Sequence, residues 1–284
     1  MKMISSRRRA MQGAIAFAVM ACVPAMGWAE GGSLTDIKKR GQLTVGTEAA
    51  YEPYEFVEDG KVVGYGRDIL EHMAGKLGVK LVQLNLPFQG LLPGLMSRKF
   101  DFVATSVGIT EERAKRFAFS APVGIVHSML AVKASNGAIA KPEDAVGKTV
   151  GTQMGSMAQP MIQDFERELK AKQGKGFAEL KLFQGYPDVG VALSNGTLDI
   201  GVVPSNVLSV QMRRQPGVFR TIGEVGQPRL LAWVAHPQDP EIRTFINQTL
   251  AELRESGKLA ELQKKWFGAP LDLPTTGYLP AGAL

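Results

Sequence analysis

The chain contains almost no cysteine. Cys22 is the only one in 284 residues. It lies near the N-terminus, so the rest of the chain offers no disulfide, thiolate metal site or cysteine nucleophile. Histidine is nearly as scarce. His72, His127 and His236 stand far apart in the sequence, which argues against a histidine metal centre or an imidazole-based catalytic cluster. No metal or other cofactor is expected. Long unbroken apolar runs are also missing. The most apolar stretch, Ala10 to Ala29, is uncharged, follows Lys2 and Arg7-Arg8-Arg9, and ends in Gly27-Trp28-Ala29 before Glu30. It is too short and interrupted to span a bilayer with ease. A basic start, a short apolar core and small residues at the cut make residues 1–29 a secretory signal peptide. Val19-Met20-Ala21-Cys22 loosely resembles a lipobox, and Ser6-Arg7-Arg8-Arg9 a twin-arginine signal, so the export route stays open.

A surplus of charge is missing once that segment is set aside. The whole chain has 33 basic and 27 acidic residues, and removing Lys2 and Arg7–Arg9 leaves 29 against 27, a net of +2. No clustered cationic face remains to point to nucleic acid. Roughly 240 folded residues suffice for one large domain or two modest ones.

What is present is alternation. Leu34 to Arg40 reads as a short helix stopped by Gly41, and Leu43 to Thr47 as a strand. Tyr65 to Leu77 places Ile69, Leu70, Met73 and Leu77 at helical spacing and ends at Gly78. Lys80 to Leu84 is a strand, Gly90 to Arg98 a helix and Phe100 to Ala104 a third strand. The pattern then restarts. Strands are predicted at 148–151, 180–183 and 198–203, with helices at 157–172 and 189–193 between them. Such alternation predicts an α/β fold with mainly parallel sheets flanked by helices. No low-complexity linker separates the two units, so crossing strands, at 125–133 and 229–236, are expected to join them. Helices at 242–255 and 259–267 return the chain to its first unit. The Pro/Gly-rich stretch from Ala269 is expected to fray.

The order of short motifs carries a resemblance. Val45-Gly46-Thr47, Tyr51-Glu52-Pro53-Tyr54, Gly64, Asp68-Ile69-Leu70, Leu91-Leu92-Pro93-Gly94-Leu95 and Lys99-Phe100-Asp101 come first. Ile109-Thr110-Glu111-Glu112-Arg113, Phe119-Ser120-Ala121-Pro122, Gly147-Lys148, Gly151-Thr152, Gly155-Ser156 and Lys264-Lys265-Trp266-Phe267-Gly268 follow. Together they resemble the polar-amino-acid family of periplasmic solute-binding proteins (bacterial extracellular solute-binding proteins, family 3), over residues 40 to 268. The resemblance implies a two-lobed periplasmic binding protein type II fold. Lobe 1 would comprise 30–125 and 230–268, lobe 2 would comprise 126–229, and 269–284 would be a flexible tail. It also implies a periplasmic receptor, expected to be a monomer, that closes about a small carboxylate or amino-acid-like solute and hands it to an ABC permease in the inner membrane.

Within that resemblance Arg113 matches the arginine that binds the ligand carboxylate, and a planar guanidinium can pair with both oxygens. Thr105 and Ser106 follow a strand and could complete the carboxylate shell. Gly108 stands where the family commonly has Ser or Thr. Tyr51 and Phe88 match positions that sandwich the solute. Glu48 matches a position that can be acidic in relatives that bind cationic solutes. Gly155, Ser156 and Met157 precede a helix whose free N–H groups suit an anion. Pro204 departs from the pattern. An Asp commonly receives the solute's α-ammonium there, and proline has neither charge nor N–H. A cyclohexadienyl or arogenate dehydratase-like enzyme on the same fold is the alternative, with Glu48 as its acid–base group.

Overall fold

A computed structural model describes residues 32–284. The signal segment, the lipobox-like stretch with Cys22 and the arginine run lie outside the described residues. None of the described helices is long and apolar enough to cross a membrane.

Two five-stranded sheets form the frame. The first is built on β1 (Gln42–Thr47), β5 (Lys80–Asn85) and β6 (Phe102–Gly108), in the order β5-β1-β6, followed by β13 (Arg229–Ala235) and β7 (Ala118–Val126). β1 pairs parallel with both neighbours, and β13 runs antiparallel to β6 and β7. The second repeats this plan with β9 (Thr149–Gln153), β10 (Glu179–Phe183), β11 (Ile200–Pro204), β8 (Ser128–Lys133) and β12 (Phe219–Glu224), in the order β10-β9-β11-β8-β12. β9 pairs parallel with β10 and β11, while β8 is antiparallel to β11 and β12. Each lobe is therefore an α/β unit with a parallel half and two antiparallel strands. Helices α2 (Tyr65–Leu77) and α3 (Phe88–Met96) connect the parallel strands of the first, and α5 (Ala158–Gln173) and α6 (Tyr186–Asn195) those of the second. The first element, α1 (Leu34–Arg40), leads into β1.

The repeat extends to individual atoms. In lobe 1 the Thr47 hydroxyl donates to Ala104 O at 3.0 Å, and in lobe 2 Thr152 donates to Val202 O at 2.8 Å. Asp101 accepts from Thr44 N–H at 2.8 Å, and Asp199 from Thr149 N–H at 2.8 Å. These bonds fasten the ends of the parallel strands whose carboxyl termini face the other lobe. In open α/β sheets ligands gather beyond those ends.

The crossings are shorter than the sequence implied. The stretch 125–133 divides into β7 and β8, with only His127 between them, and the return runs through 225–228. Several further elements went unread, among them α7 (Ser205–Arg214), β12, and a small sheet of β2 (Ala50–Tyr51), β3 (Glu55–Glu58) and β4 (Lys61–Val63). The strand expected at 100–104 is β6, shifted toward the C-terminus, and Asp101 just before it bonds Thr44 of β1 through both its N–H and its carboxylate.

Helices α8 (Pro240–Glu255) and α9 (Lys258–Phe267) return to lobe 1. Ile242, Phe245, Ile246 and Leu250 are buried in its core beside Ile69, Leu70 and Met73. Phe267 packs between Tyr54 and Tyr65, with ring centroids 4.9 and 5.1 Å away. The stretch after α9 forms no helix or strand. Contrary to the expected fraying, its last residues pack onto lobe 1, with Tyr278, Leu279 and Ala283 against an apolar cluster that includes Phe88, Ile109 and Phe117.

Candidate functional site

The sheet ends meet across a narrow cavity. From lobe 1 it is lined by Glu48, just after β1, Tyr51 on β2, Phe88 at the start of α3, Thr105, Ser106 and Gly108 on β6, Arg113, and Leu231 on β13. Lobe 2 contributes Gln153 at the end of β9, Ser156, Met157 and Tyr186. Its free space is about 20 Å³, enough for a water or two but too small for an amino acid. The lobes are closed on each other, and a solute enters only if they part or side chains move. Arg113, Ser156 and Met157 also line a wider hollow of about 860 Å³.

Arg113 sits on α4 (Glu111–Ala114), a single turn capped by Thr110, whose hydroxyl accepts from Arg113 N–H at 3.3 Å. Its guanidinium lies over the Phe88 ring, 5.7 Å from the centroid. Nη1 donates to Gly108 O at 3.1 Å and Nη2 to Gly155 O, in lobe 2, at 2.6 Å. Burial pulls its pKa below the usual arginine value, against the favourable charges of Tyr186 and Glu112. Among the described residues no carboxylate forms a salt bridge with it. A cation held only by carbonyl oxygens leaves a place for a carboxylate, which makes stronger, charge-assisted bonds.

Gly108 owes its identity to a close approach. A Cβ there would lie 2.3 Å from Met157 Sδ and 3.1 Å from Met157 Cγ, so a larger residue requires the Met157 side chain to shift. Gly155 has φ 72°, a conformation glycine adopts without steric cost. It does not line the cavity, but its carbonyl receives Arg113. Ser156 Oγ is buried and has no hydrogen-bond partner of good geometry, although it faces Tyr186 closely enough to lower that phenol's pKa. Burial outweighs this and raises the Tyr186 and Tyr51 phenols well above the usual range.

Glu48 is buried and accepts a short hydrogen bond from Gln153 Nε2 across the lobes. Desolvation raises its pKa to about 7, partly offset by that bond. Glu55 lies one layer deeper, fully buried on β3, and accepts from the Ser106 hydroxyl at 3.3 Å. Burial raises it to about 8, with Ser106 opposing and the charge of Glu48 adding to the rise.

Contrary to the expectation from sequence, Pro204 lies apart from this cavity. It is buried at the end of β11, pairs with Ser128 and caps α7. Its fixed φ suits the strand-to-helix turn. Nine of the eleven candidates, all but Gly155 and Pro204, therefore surround one space. Gln153, Tyr186, Leu231 and Glu55 were missed. A signal for Gln153 existed in the repeat of Val45-Gly46-Thr47-Glu48 as Val150-Gly151-Thr152-Gln153.

The sequence profile of the bacterial extracellular solute-binding proteins, family 3, matches residues 43–269. The chain belongs to this family. It is 28% identical over 271 residues to the L-cystine-binding protein TcyJ of Escherichia coli K12, covering 95% of this chain and 98% of that one. A mutant of ArgBP from T. maritima superposes with a TM-score of 0.74 at 31% identity, over 83% of this chain and 99% of that one. A third likeness is to an ancestral amino acid-binding protein described as a precursor of cyclohexadienyl dehydratase, with a TM-score of 0.71 at 27% identity, over 82% and 99% of the two chains. Family, two-lobed fold and a binding rather than enzymatic role agree with the sequence reading.

Proposed function

We propose that the chain is the periplasmic solute receptor of an ABC importer and that it closes around a small carboxylate or amino-acid-like solute gripped by Arg113. The observation that carries this reading is the arginine itself. It lies in a cavity between two lobes, with its donors on carbonyl oxygens from both and, among the described residues, no carboxylate paired to it. Residues 30–125 with 230–268 and residues 126–229 act as the two jaws, hinged at the two crossings, and the receptor works as a monomer. The L-cystine-binding and arginine-binding proteins among its relatives support an amino-acid-like solute and delivery to a membrane permease.

Loss of an Asp at Pro204 does not leave an amine without an anion, because Glu48 faces the same cavity. An amine-bearing carboxylate would bridge Arg113 and Glu48. A panel of amino acids, aromatic acids and dicarboxylates, read by thermal shift, identifies the solute, since a ligand of the native state raises its melting point. Arg113→Ala should then weaken binding by about 2–5 kcal/mol, or 30-fold and more in Kd. Unchanged affinity refutes the assignment. Turnover of prephenate or arogenate would instead favour the dehydratase alternative, with Glu48 as the acid.

A further inference from the structure

The family profile ends at residue 269, yet the chain beyond it is not idle. Leu271 N–H donates to Gln263 Oε1 at 3.0 Å, and Leu273 is buried. The last seven residues then cross the outer face of lobe 1. Tyr278, Leu279 and Ala283 pack on the apolar cluster that holds Phe88, Ile109, Ala114 and Phe117. Leu284 N–H donates to Ala114 O at 2.9 Å, and Leu284 O accepts from Arg243 Nη1, on α8, at 2.6 Å.

Those contacts fall on the turn that presents Arg113. α4 is a four-residue helix, and an isolated turn of that length does not persist in water. Its own backbone bonds are all local: Ala114 N–H donates to Thr110 O at 2.9 Å, Lys115 N–H to Glu111 O at 3.2 Å, and the N–H groups of Arg116 and Phe117 to Arg113 O at 3.0 and 2.9 Å. The carbonyl of the buried Ala114 lies in the last turn, where helices have no internal partner to offer. Leu284 N–H supplies that partner. The same segment also backs the cluster beneath Phe88, the ring over which the guanidinium lies. Two supports of the arginine, its turn and its ring, thus share one brace.

We propose that residues 278–284, which lie beyond the stretch matched by the family profile, are a positioning strap that fixes the Arg113 turn in the geometry that receives the solute carboxylate. The strap touches no solute and acts through Arg113, so the proposal rests on the reading of that residue given above. Arg243 anchors the strap's far end.

The test is a double-mutant cycle on the full mature protein, with L-arginine and L-cystine as probes, together with amide hydrogen exchange that needs no ligand. Removal of 278–284 should weaken binding at least tenfold in the wild type and under twofold in Arg113→Ala, because coupled groups are not additive. Exchange at 110–117 should accelerate while 128–224 stays unchanged. Arg243→Ala, which loosens the anchor without shortening the chain, should give the same pattern more weakly and serves if the truncated protein does not fold. An equal loss in both backgrounds, or unchanged exchange at 110–117, overturns the strap while leaving Arg113 as the carboxylate ligand. If Arg113→Ala binds a probe as well as the wild type does, both readings fall. If neither probe binds, the exchange result decides the strap.

Discussion

Replacing Glu55 with glutamine should flatten the dependence of stability on pH. The carboxyl is fully buried, accepts from the Ser106 hydroxyl at 3.3 Å, and its pKa rises from 4.5 to about 8. Between those values the folded protein keeps a proton that the unfolded chain gives up. The group's contribution is therefore fully present below pH 4.5 and is lost as pH rises through about 8. A displacement of this size corresponds to roughly 4–5 kcal/mol at its limit, and about 3 kcal/mol after local relaxation. Glu48, raised to about 7, adds a loss of the same sign over a lower window. Glutamine keeps a donor and an acceptor of nearly the same shape and cannot ionise. Urea melts of ligand-free protein at pH 5 and pH 8 measure both terms. The wild type should lose stability over this interval, and Glu55→Gln should lose less, so that the variant gains on the wild type as pH rises. Parallel losses in the two proteins would mean that Glu55 is already ionised in the fold, and the reasoning would be wrong.

Gly108→Ala should raise Kd for the solute about threefold by displacing the Met157 side chain, and Met157→Ala in the same chain should restore much of the affinity by removing the sulfur that the new methyl meets. A variant with unchanged affinity would refute the close-approach argument. Asp101→Asn should cost about 1–2 kcal/mol in chemical melts by breaking its part-buried pair with Arg40. Its repeat counterpart Asp199→Asn, which has no ion pair among the described residues, should cost under about 1 kcal/mol. Equal costs would show that the ion pair contributes nothing.

Legibility in the sequence followed the physics of each element. Helix α2 was plain because Ile69, Leu70 and Met73 make an apolar stripe that ends at Gly78. Helix α7 was not, since its interior alternates Val207, Leu208 and Val210 with serine, and Pro204 masks its start. The lobe 1 side of the cavity could be read because Thr105, Ser106, Gly108 and Arg113 lie within nine residues of chain. Lobe 2's Tyr186 reaches the cavity only through the meeting of the lobes, which no local pattern encodes, whereas Gln153 was foreshadowed only by the repeated Val-Gly-Thr motif. Glu55 looks like any strand-edge carboxylate until folding buries it behind Ser106. The tail's Pro and Gly content signalled the absence of regular structure, and it does lack helix and strand. Docking of Tyr278 and Leu279 depends on a surface more than a hundred residues away.

Both charged groups of the cavity, Arg113 and Glu48, belong to the same jaw, while the other presents Gln153, Ser156, Met157 and Tyr186, none of them charged in their usual forms. The open receptor would therefore hold its entire electrostatic complement on one exposed half. Encounter should be a salt-sensitive event on that half, slowed as ionic strength rises. Shutting adds neutral contacts and should be nearly indifferent to salt. Stopped-flow traces would then divide into a fast phase that salt slows and a slower phase that it leaves alone. Transferring the carboxylate by exchanging Glu48 and Gln153 would merge the two, since neither jaw alone could then hold both ends of the guest.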